Sequence, residues 1–382
     1  MNVYLDHAAS TPVRPEAAVA YAEALGAVGN PSSIHADGRA ARALLEDARE
    51  RLAAAAGAHP TEVVFTSGGT ESVNTAIKGL YWSAGPGRDR VITSPAEHHA
   101  TLDAAEWLAA QGARVDLVPV DAVGRVRLDE LGRVIEEGGT RSVAVLSLLW
   151  ANNEIGTIED VDAIADLAAE LGVPLHWDAV AAFGHVPVSF RESGATAMSI
   201  SGHKLGAPIG TGALFVRRGA EPAPLVHGGA QQPARSGTMD VAGAVALATA
   251  AELAVAELEA EERRLRELSG RLARGIARAL PDAALSGDVV GRLPGHGHVT
   301  IPGLLGETLL FVLDQAGFSV SVGSACRAGV AEPSHVLLAI GLSEAQARSA
   351  LRITLGRTTT EADVDAFLAV LPEAVARARA AF

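Results

Sequence analysis

One cysteine in 382 residues, Cys326, excludes an intrachain disulfide framework. The opening residues, MNVYLDHAAS, carry neither the basic stretch nor the apolar run of a secretory signal, so no leader is expected. Long apolar runs are missing too. The best candidate, VAGAVALATAAELAVAEL at 241–258, is interrupted by Glu252 and Glu257 and reads as a core helix rather than a membrane span. Positive charge is in deficit, with 31 Lys and Arg against 45 Asp and Glu for a net −14. That speaks against a broad nucleic-acid surface, because neutralising phosphates takes clustered basic side chains. No repeat or low-complexity tail is visible, and no resident metal is expected. These absences lead to a soluble, cytoplasmic protein with neither nucleic acid nor membrane as partner.

What is present is an alternation of short apolar strands with amphipathic helices, the pattern of an α/β fold with a largely parallel sheet. Seven strands are predicted: EVVFTS (62–67), RVITSP (90–95), RVDLVPV (114–120), SVAVLSLL (142–149), VPLHWD (173–178), AMSIS (197–201) and GALFVR (212–217). Between them lie helical stretches such as DGRAARALLEDARERLAAAAG (37–57), rich in Ala, Leu and Arg. A single long helix is predicted after Thr238, ending before Pro281. Beyond it the order changes to a smaller mixture of strands and helices. The division expected is a large domain over 15–256, and a small one that joins 1–14 to 257–382.

Five stretches carry chemistry. In SISGHKLGAPIGTG (199–212), Lys204 follows a strand and precedes glycines, a place that faces a cleft. A lysine there can form a Schiff base with an aldehyde cofactor, with Ser201 and His203 as donors to a phosphate; a surface lysine in a glycine-rich turn fits equally well. Asp178 ends the strand in HWDAVAAFG, where it can pair with a pyridine nitrogen or simply cap a helix. FTSGGTESVNTAIKG (65–79) reads as strand, Gly-Gly turn and helix. The free N–H groups at that helix start, with the Thr70 hydroxyl, suit a phosphate, and the lysine of a nucleotide P-loop is missing. In SPAEHHATL, His98 or His99 could stack on a flat cofactor, and LLWANNEIGT places two asparagines where a strand should end. Cys326, in SVGSACRAG, has small neighbours that predict an exposed, mobile loop. An idle thiol and a nucleophile both fit it.

Taken together, these motifs resemble the class V aminotransferase group of pyridoxal-phosphate enzymes, and within it the cysteine desulfurases of the NifS and IscS type. The resemblance runs from YLDHAASTP and NPSSIHADGR through TSGGTES, EHHATL, ANNEIGT, SGHKLGAPIGTGAL and RSGT to GSAC and LRITLGR. It implies the pyridoxal-phosphate-dependent transferase fold (fold type I), with a large, mostly parallel seven-stranded sheet domain plus a smaller α+β domain. Lys204 would hold pyridoxal 5′-phosphate as a Schiff base, Asp178 would pair with the ring nitrogen, and His98 would stack on the ring and move protons. Gly69, Thr70, Ser201 and His203 would bind the phosphate, joined by Thr238 from the partner subunit of a homodimer. Arg352, helped by Asn153, would clamp the carboxylate of L-cysteine, since its planar fork binds carboxylate in two places. Cys326 would take the sulfur as a persulfide, releasing L-alanine, and pass it to a scaffold or carrier protein. Iron–sulfur cluster assembly, thio-cofactor synthesis and tRNA thiolation all begin this way.

Three positions depart from the family pattern. Ala181 stands where glutamine is usual, His7 where asparagine is common, and GGAQQPARSGT (228–238) replaces a more usual run near the subunit boundary. Cofactor tuning, substrate selectivity and partner choice are therefore open. The rival readings are a cysteine or selenocysteine lyase with a dispensable Cys326, an aminotransferase needing a second substrate, and a non-catalytic sulfur-trafficking scaffold.

Overall fold

The computed structural model describes residues 2–323 and 332–381. The chain opens with β1 (Val3–Tyr4), α1 (Pro15–Leu25) and α2 (Ala36–Ala55). Next come β2 (Val63–Thr66), α3 (Gly69–Ser83), β3 (Arg90–Thr93), α4 (His99–Ala110), β4 (Arg114–Leu117) and α5 (Leu128–Glu137). They are followed by β5 (Val143–Leu149), α6 (Val161–Glu170), β6 (Leu175–Asp178), β7 (Ala197–Ser201) and β8 (Gly212–Val216). The seven strands β2–β8, each within a predicted stretch, form one sheet in the order β2-β8-β7-β6-β5-β3-β4. Only β8 runs against its neighbours.

Both faces of this sheet are covered, which is why its strands read as continuous apolar runs. Alternate residues go to opposite sides. Phe65, Ile92, Leu146 and Phe215 enter one core with residues of α2, while Val64, Val91, Val145 and Leu214 enter another with residues of α3 and α4. The outer edge of β2 is closed by a side chain. Gln232 accepts the N–H of Phe65 at 3.1 Å and donates to its carbonyl at 2.7 Å, as a neighbouring strand would. Gln232 belongs to the run that departs from the family pattern, and this is the work it does.

The predicted single helix after Thr238 is two helices, α7 (Val241–Ala256) and α8 (Leu258–Ala279), bent by 68° at Glu257. The physical reason is a change of core. α7 is apolar nearly all round and buried in the first core, whereas α8 lays Leu265, Leu268, Leu272 and Ile276 into another. At the corner, Glu257 pairs with buried Arg14 at 2.7 Å. No helix among the described residues is by itself long and apolar enough to cross a membrane.

The remainder holds β9 (Ala284–Leu285), β10 (His296–Thr300), α9 (Gly306–Gln315), β11 (Phe318–Ser319), α10 (His335–Ala339), α11 (Glu344–Arg348), β12 (Ala350–Thr354) and α12 (Glu361–Ala380). A three-stranded sheet in the order β12-β10-β9 packs with α8, α9 and α12. The N-terminal β1 runs parallel to β11, so the first residues are stitched to the last third of the chain. His7 strengthens that seam rather than entering the cavity described below. Its ring bonds Thr11 Oγ1 at 2.8 Å and faces Thr359 Oγ1 at 3.4 Å, and burial holds its pKa down at about 4.

Candidate active site

At the ends of β6 and β7 opens a cavity of about 420 Å³, the place where an open α/β sheet offers binding groups. Gly69, Thr70, His98, Asn153, Asp178, Ser201, His203, Lys204 and Arg352 all line it, and so does Ala181. Residues scattered over almost the whole chain thus converge on one space. Thr238 does not: it lines a second cavity with Ser67, Thr211 and Arg235. Cys326 and its predicted loop lie outside the described residues; Ser321 and Gly323, just before it, line the first cavity.

Lys204 ends a short 3₁₀ turn that begins directly after β7. Its ammonium donates to the carbonyls of Ala8 and Ala9, the latter at 3.0 Å. Burial and then the Arg352 charge pull its pKa down to about 8, against a smaller upward pull from Asp6 and Asp178. The amine is therefore far closer to its nucleophilic form at neutral pH than a surface lysine. Asp178 is the last residue of β6 and buried. It accepts the N–H of Val180 at 3.0 Å, and burial raises its pKa to about 6 in spite of that bond and of Lys204. A buried carboxylate on a cavity wall with so little compensation fits a cationic ring nitrogen.

His98 caps α4, accepting the Ala100 N–H on Nδ1 at 3.0 Å, which leaves Nε2 to carry the proton of the neutral ring. Although its ring is open to the cavity, lost hydration and then Lys204 hold its pKa down at about 4. The start of α3, Gly69 and Thr70, lines the same cavity, and that helix has no side-chain cap. Small residues keep this helix start close to the strands: a Cβ on Gly69 would come within 3.3 Å of Ser201 Cβ, and one on Gly212 within 2.6 Å of Gly68 Cα. Ser201 and His203 complete the rim, and burial and then Lys204 lower the His203 pKa to about 4. This cradle fits a phosphate.

Arg352, on β12 and 5% exposed, brings the second charge. Its Nη2 donates to Asp6 at 2.8 Å and its Nη1 to the main-chain carbonyl of Asn153 at 3.1 Å, while Nε has no partner among the described residues. Asn153 thus contributes backbone. The carboxylate of Asp6 holds part of the fork expected to face substrate. Neither Asp6 nor Glu154 was singled out by sequence reasoning, although both stand in quoted motifs, YLDHAAS and ANNEIGT. The signal was a carboxylate beside a motif residue, which says nothing of its partner before the chain is folded.

The family model of the class-V aminotransferases matches residues 3–367. An IscS-like cysteine desulfurase of Mycobacterium tuberculosis is 50% identical, with 99% of this chain and 97% of that protein covered. Among solved structures, a NifS-like protein superposes with a TM-score of 0.91 at 34% identity, over 99% of this chain and all of the other. SspA, solved in complex with cysteine, gives 0.80 at 32% identity, over 93% of this chain and 99% of the other. With matches that span the whole length and a cavity lined by the motif residues, the chain belongs to the class-V aminotransferase family and, within it, to the IscS- and NifS-like cysteine desulfurases.

Proposed function

We propose that this chain converts L-cysteine to L-alanine on pyridoxal 5′-phosphate, the cofactor of its family, and leaves the sulfur as a persulfide on Cys326. The observation that carries this reading is the meeting of Lys204, Asp178, His98, the α3 start and Arg352 around one cavity. When bound, the cofactor supplies an aldehyde for the amino group and a ring that accepts the electron pair of the α-carbon. Lys204 would offer the amine that holds it, the first N–H groups of α3 with Thr70, Ser201 and His203 would take the phosphate, and Asp178 would keep the ring nitrogen protonated. His98 would stack on the ring, and its neutral imidazole is placed to exchange a proton. Arg352 orients the substrate carboxylate, using the N–H groups of its fork that Asp6 and Asn153 leave free. The Cys326 thiolate then attacks the substrate sulfur. An S–S bond forms as the Cβ–S bond breaks, and the carbon side keeps the electron pair and takes up a proton. L-cysteine and an enzyme thiol become L-alanine and an enzyme persulfide, with atoms and electrons balanced.

The working unit is a homodimer in which Thr238 reaches the partner's phosphate. This is supported by its exposed position in a separate cavity and by the exposed apolar side chains Val28, Ile34 and Ile209. The two-domain division, 15–256 against 1–14 with 257–382, is supported by the second core, which joins Leu5 to residues 265–378, while Leu293, Val336, Leu337 and Ile340 pack into the first core. The setting is the cytoplasm, where the sole thiol stays reduced, and the sulfur acceptor is a scaffold or carrier protein. Incubation with L-cysteine, with alanine assayed and the protein mass measured, tests the reading. One sulfur atom added at Cys326 per first alanine is expected. Cys326→Ser should still bind cysteine and make almost no alanine; normal alanine output from it would make the protein a lyase.

A further inference from the structure

The turn Asn152-Asn153-Glu154, just beyond β5, fastens a different limb of the site with each residue. Asn152 Nδ2 donates to the carbonyl of Ala96, two residues before His98, at 2.9 Å. The Asn153 carbonyl receives Arg352, as described. Glu154, 4% exposed, accepts the hydroxyl of Ser334 at 2.5 Å, and Ser334 is itself 1% exposed and caps α10 through the Leu337 N–H at 3.2 Å. The same carboxylate oxygen lies against Gly323. A Cβ there would stand 3.2 Å from Glu154 Oε2 and 3.3 Å from His298 Nε2, and the backbone has φ +87°. His298 is fully buried and neither ring nitrogen has a partner among the described residues, so Glu154 is the hydrogen-bonding group at this junction. Gly323 and Ser334 flank the stretch that contains Cys326, one on each side. Beyond Ser334, His335 bonds the Glu97 carbonyl at 2.8 Å and meets the His99 ring at 4.7 Å, which ties the far flank to the segment of His98.

We propose that Glu154 is a positioning residue for sulfur transfer: by holding Ser334 and seating Gly323, one carboxylate fixes described residues on both sides of Cys326 in the sequence. The inference rests on the proposed role of Cys326. Small misplacements of a reacting group cost rate steeply, of order a hundredfold for about 1 Å, and the groups that bind cysteine do not include Ser334.

Because Cys326 is the sole thiol, mass spectrometry and alkylation report on it without further engineering. In the holoenzyme, Ser334→Ala should slow single-turnover persulfide formation at least tenfold while the KM for L-cysteine changes by less than twofold. Its thiol should also alkylate with iodoacetamide at an altered rate. Glu154→Ala should lose at least as much, since it also gives up the contact with Gly323, and adding Ser334→Ala to it should cost nothing further, because their shared bond is already gone. Glu154→Gln can still accept the Ser334 hydroxyl and should recover most of the rate. An unchanged persulfide rate in Ser334→Ala overturns the proposal, as does an equal loss of cysteine binding and rate, or a Gln variant no better than Ala. If Glu154→Ala fails to fold, Ser334→Ala decides alone. A parent protein that forms no persulfide overturns this proposal together with the role of Cys326, whereas a normal parent with unaffected variants overturns the positioning role only.

Discussion

Lys204 is the residue whose surroundings can be tested most directly. A pKa lowered on folding means that the amine is neutral at a lower pH in the folded chain than in a peptide. At pH 7 about one chain in ten carries it neutral at a pKa of about 8, against roughly three in ten thousand at the ordinary value. Capture of pyridoxal phosphate by cofactor-free protein should therefore accelerate with pH through a midpoint near 8 and level off above it. Stopped-flow absorbance checks this, and Lys204→Ala should leave nothing for borohydride to trap. A midpoint above 9.5 would mean that burial and Arg352 do not act on the amine as described. Arg352 yields a second expectation. Arg352→Lys keeps the charge but loses the planar fork shared by Asp6, Asn153 and substrate, at about 1–3 kcal/mol for one charge-assisted contact. The KM for L-cysteine should rise roughly five- to a hundredfold. An unchanged KM would assign the substrate carboxylate to another group.

At the scale of elements, the phosphate cradle depends on how closely α3 approaches β8. Gly212, the first residue of β8, leaves no room for a methyl group: its Cβ would meet the Gly68 backbone at 2.6–2.9 Å. Backbone cannot swing aside like the tip of a side chain, so Gly212→Ala must push the start of α3 away from the sheet. Overpacking of this kind costs about 1–3 kcal/mol. Affinity of the cofactor-free protein for pyridoxal phosphate should fall about tenfold or more, measured by equilibrium titration of the visible band. Ala substitution at Gly132 in α5, which like Gly212 has no positive φ and meets only Leu167 side-chain atoms at 3.9–4.0 Å, is the control for a methyl group added where there is room. Equal phosphate affinity in the two variants would disconnect the α3–β8 approach from the cradle.

At the scale of the molecule, the proposed homodimer makes a complementation test possible. If Thr238 serves the partner's site, a Lys204→Ala chain paired with a Thr238→Ala chain builds one site with both changes and one with neither. The purified mixed dimer should show one of its two sites capturing pyridoxal phosphate at the parent affinity, while each variant alone captures it weakly or not at all. No recovery in a verified mixed dimer would confine Thr238 to its own chain. The closure of the β2 edge by Gln232 also belongs here, because that edge would otherwise offer unpaired N–H and C=O groups to another chain.

Local order was legible in the amino-acid sequence because strand and helix formation depend on spacing along the chain. Seven apolar runs became seven strands of one sheet, and Lys204 and Asp178 stood out as candidates at strand ends, whereas His98 was separated from His99 only by the family resemblance. The 68° corner at Glu257 was not legible as a bend: the chain turns from apolar to charged there without a proline or glycine to break the helix, and only the change from one core to another, with Arg14 arriving from 243 residues away, bends it. Pairings of the same kind decided the rest of the site. Asp6 meets Arg352 across 346 positions and Glu154 meets Ser334 across 180. Sequence determined which chemical groups this protein owns and which local elements carry them. Tertiary structure alone decided which carboxylate faces which cation and which hydroxyl, because those energies depend on distance and burial, and neither is a property of position along the chain.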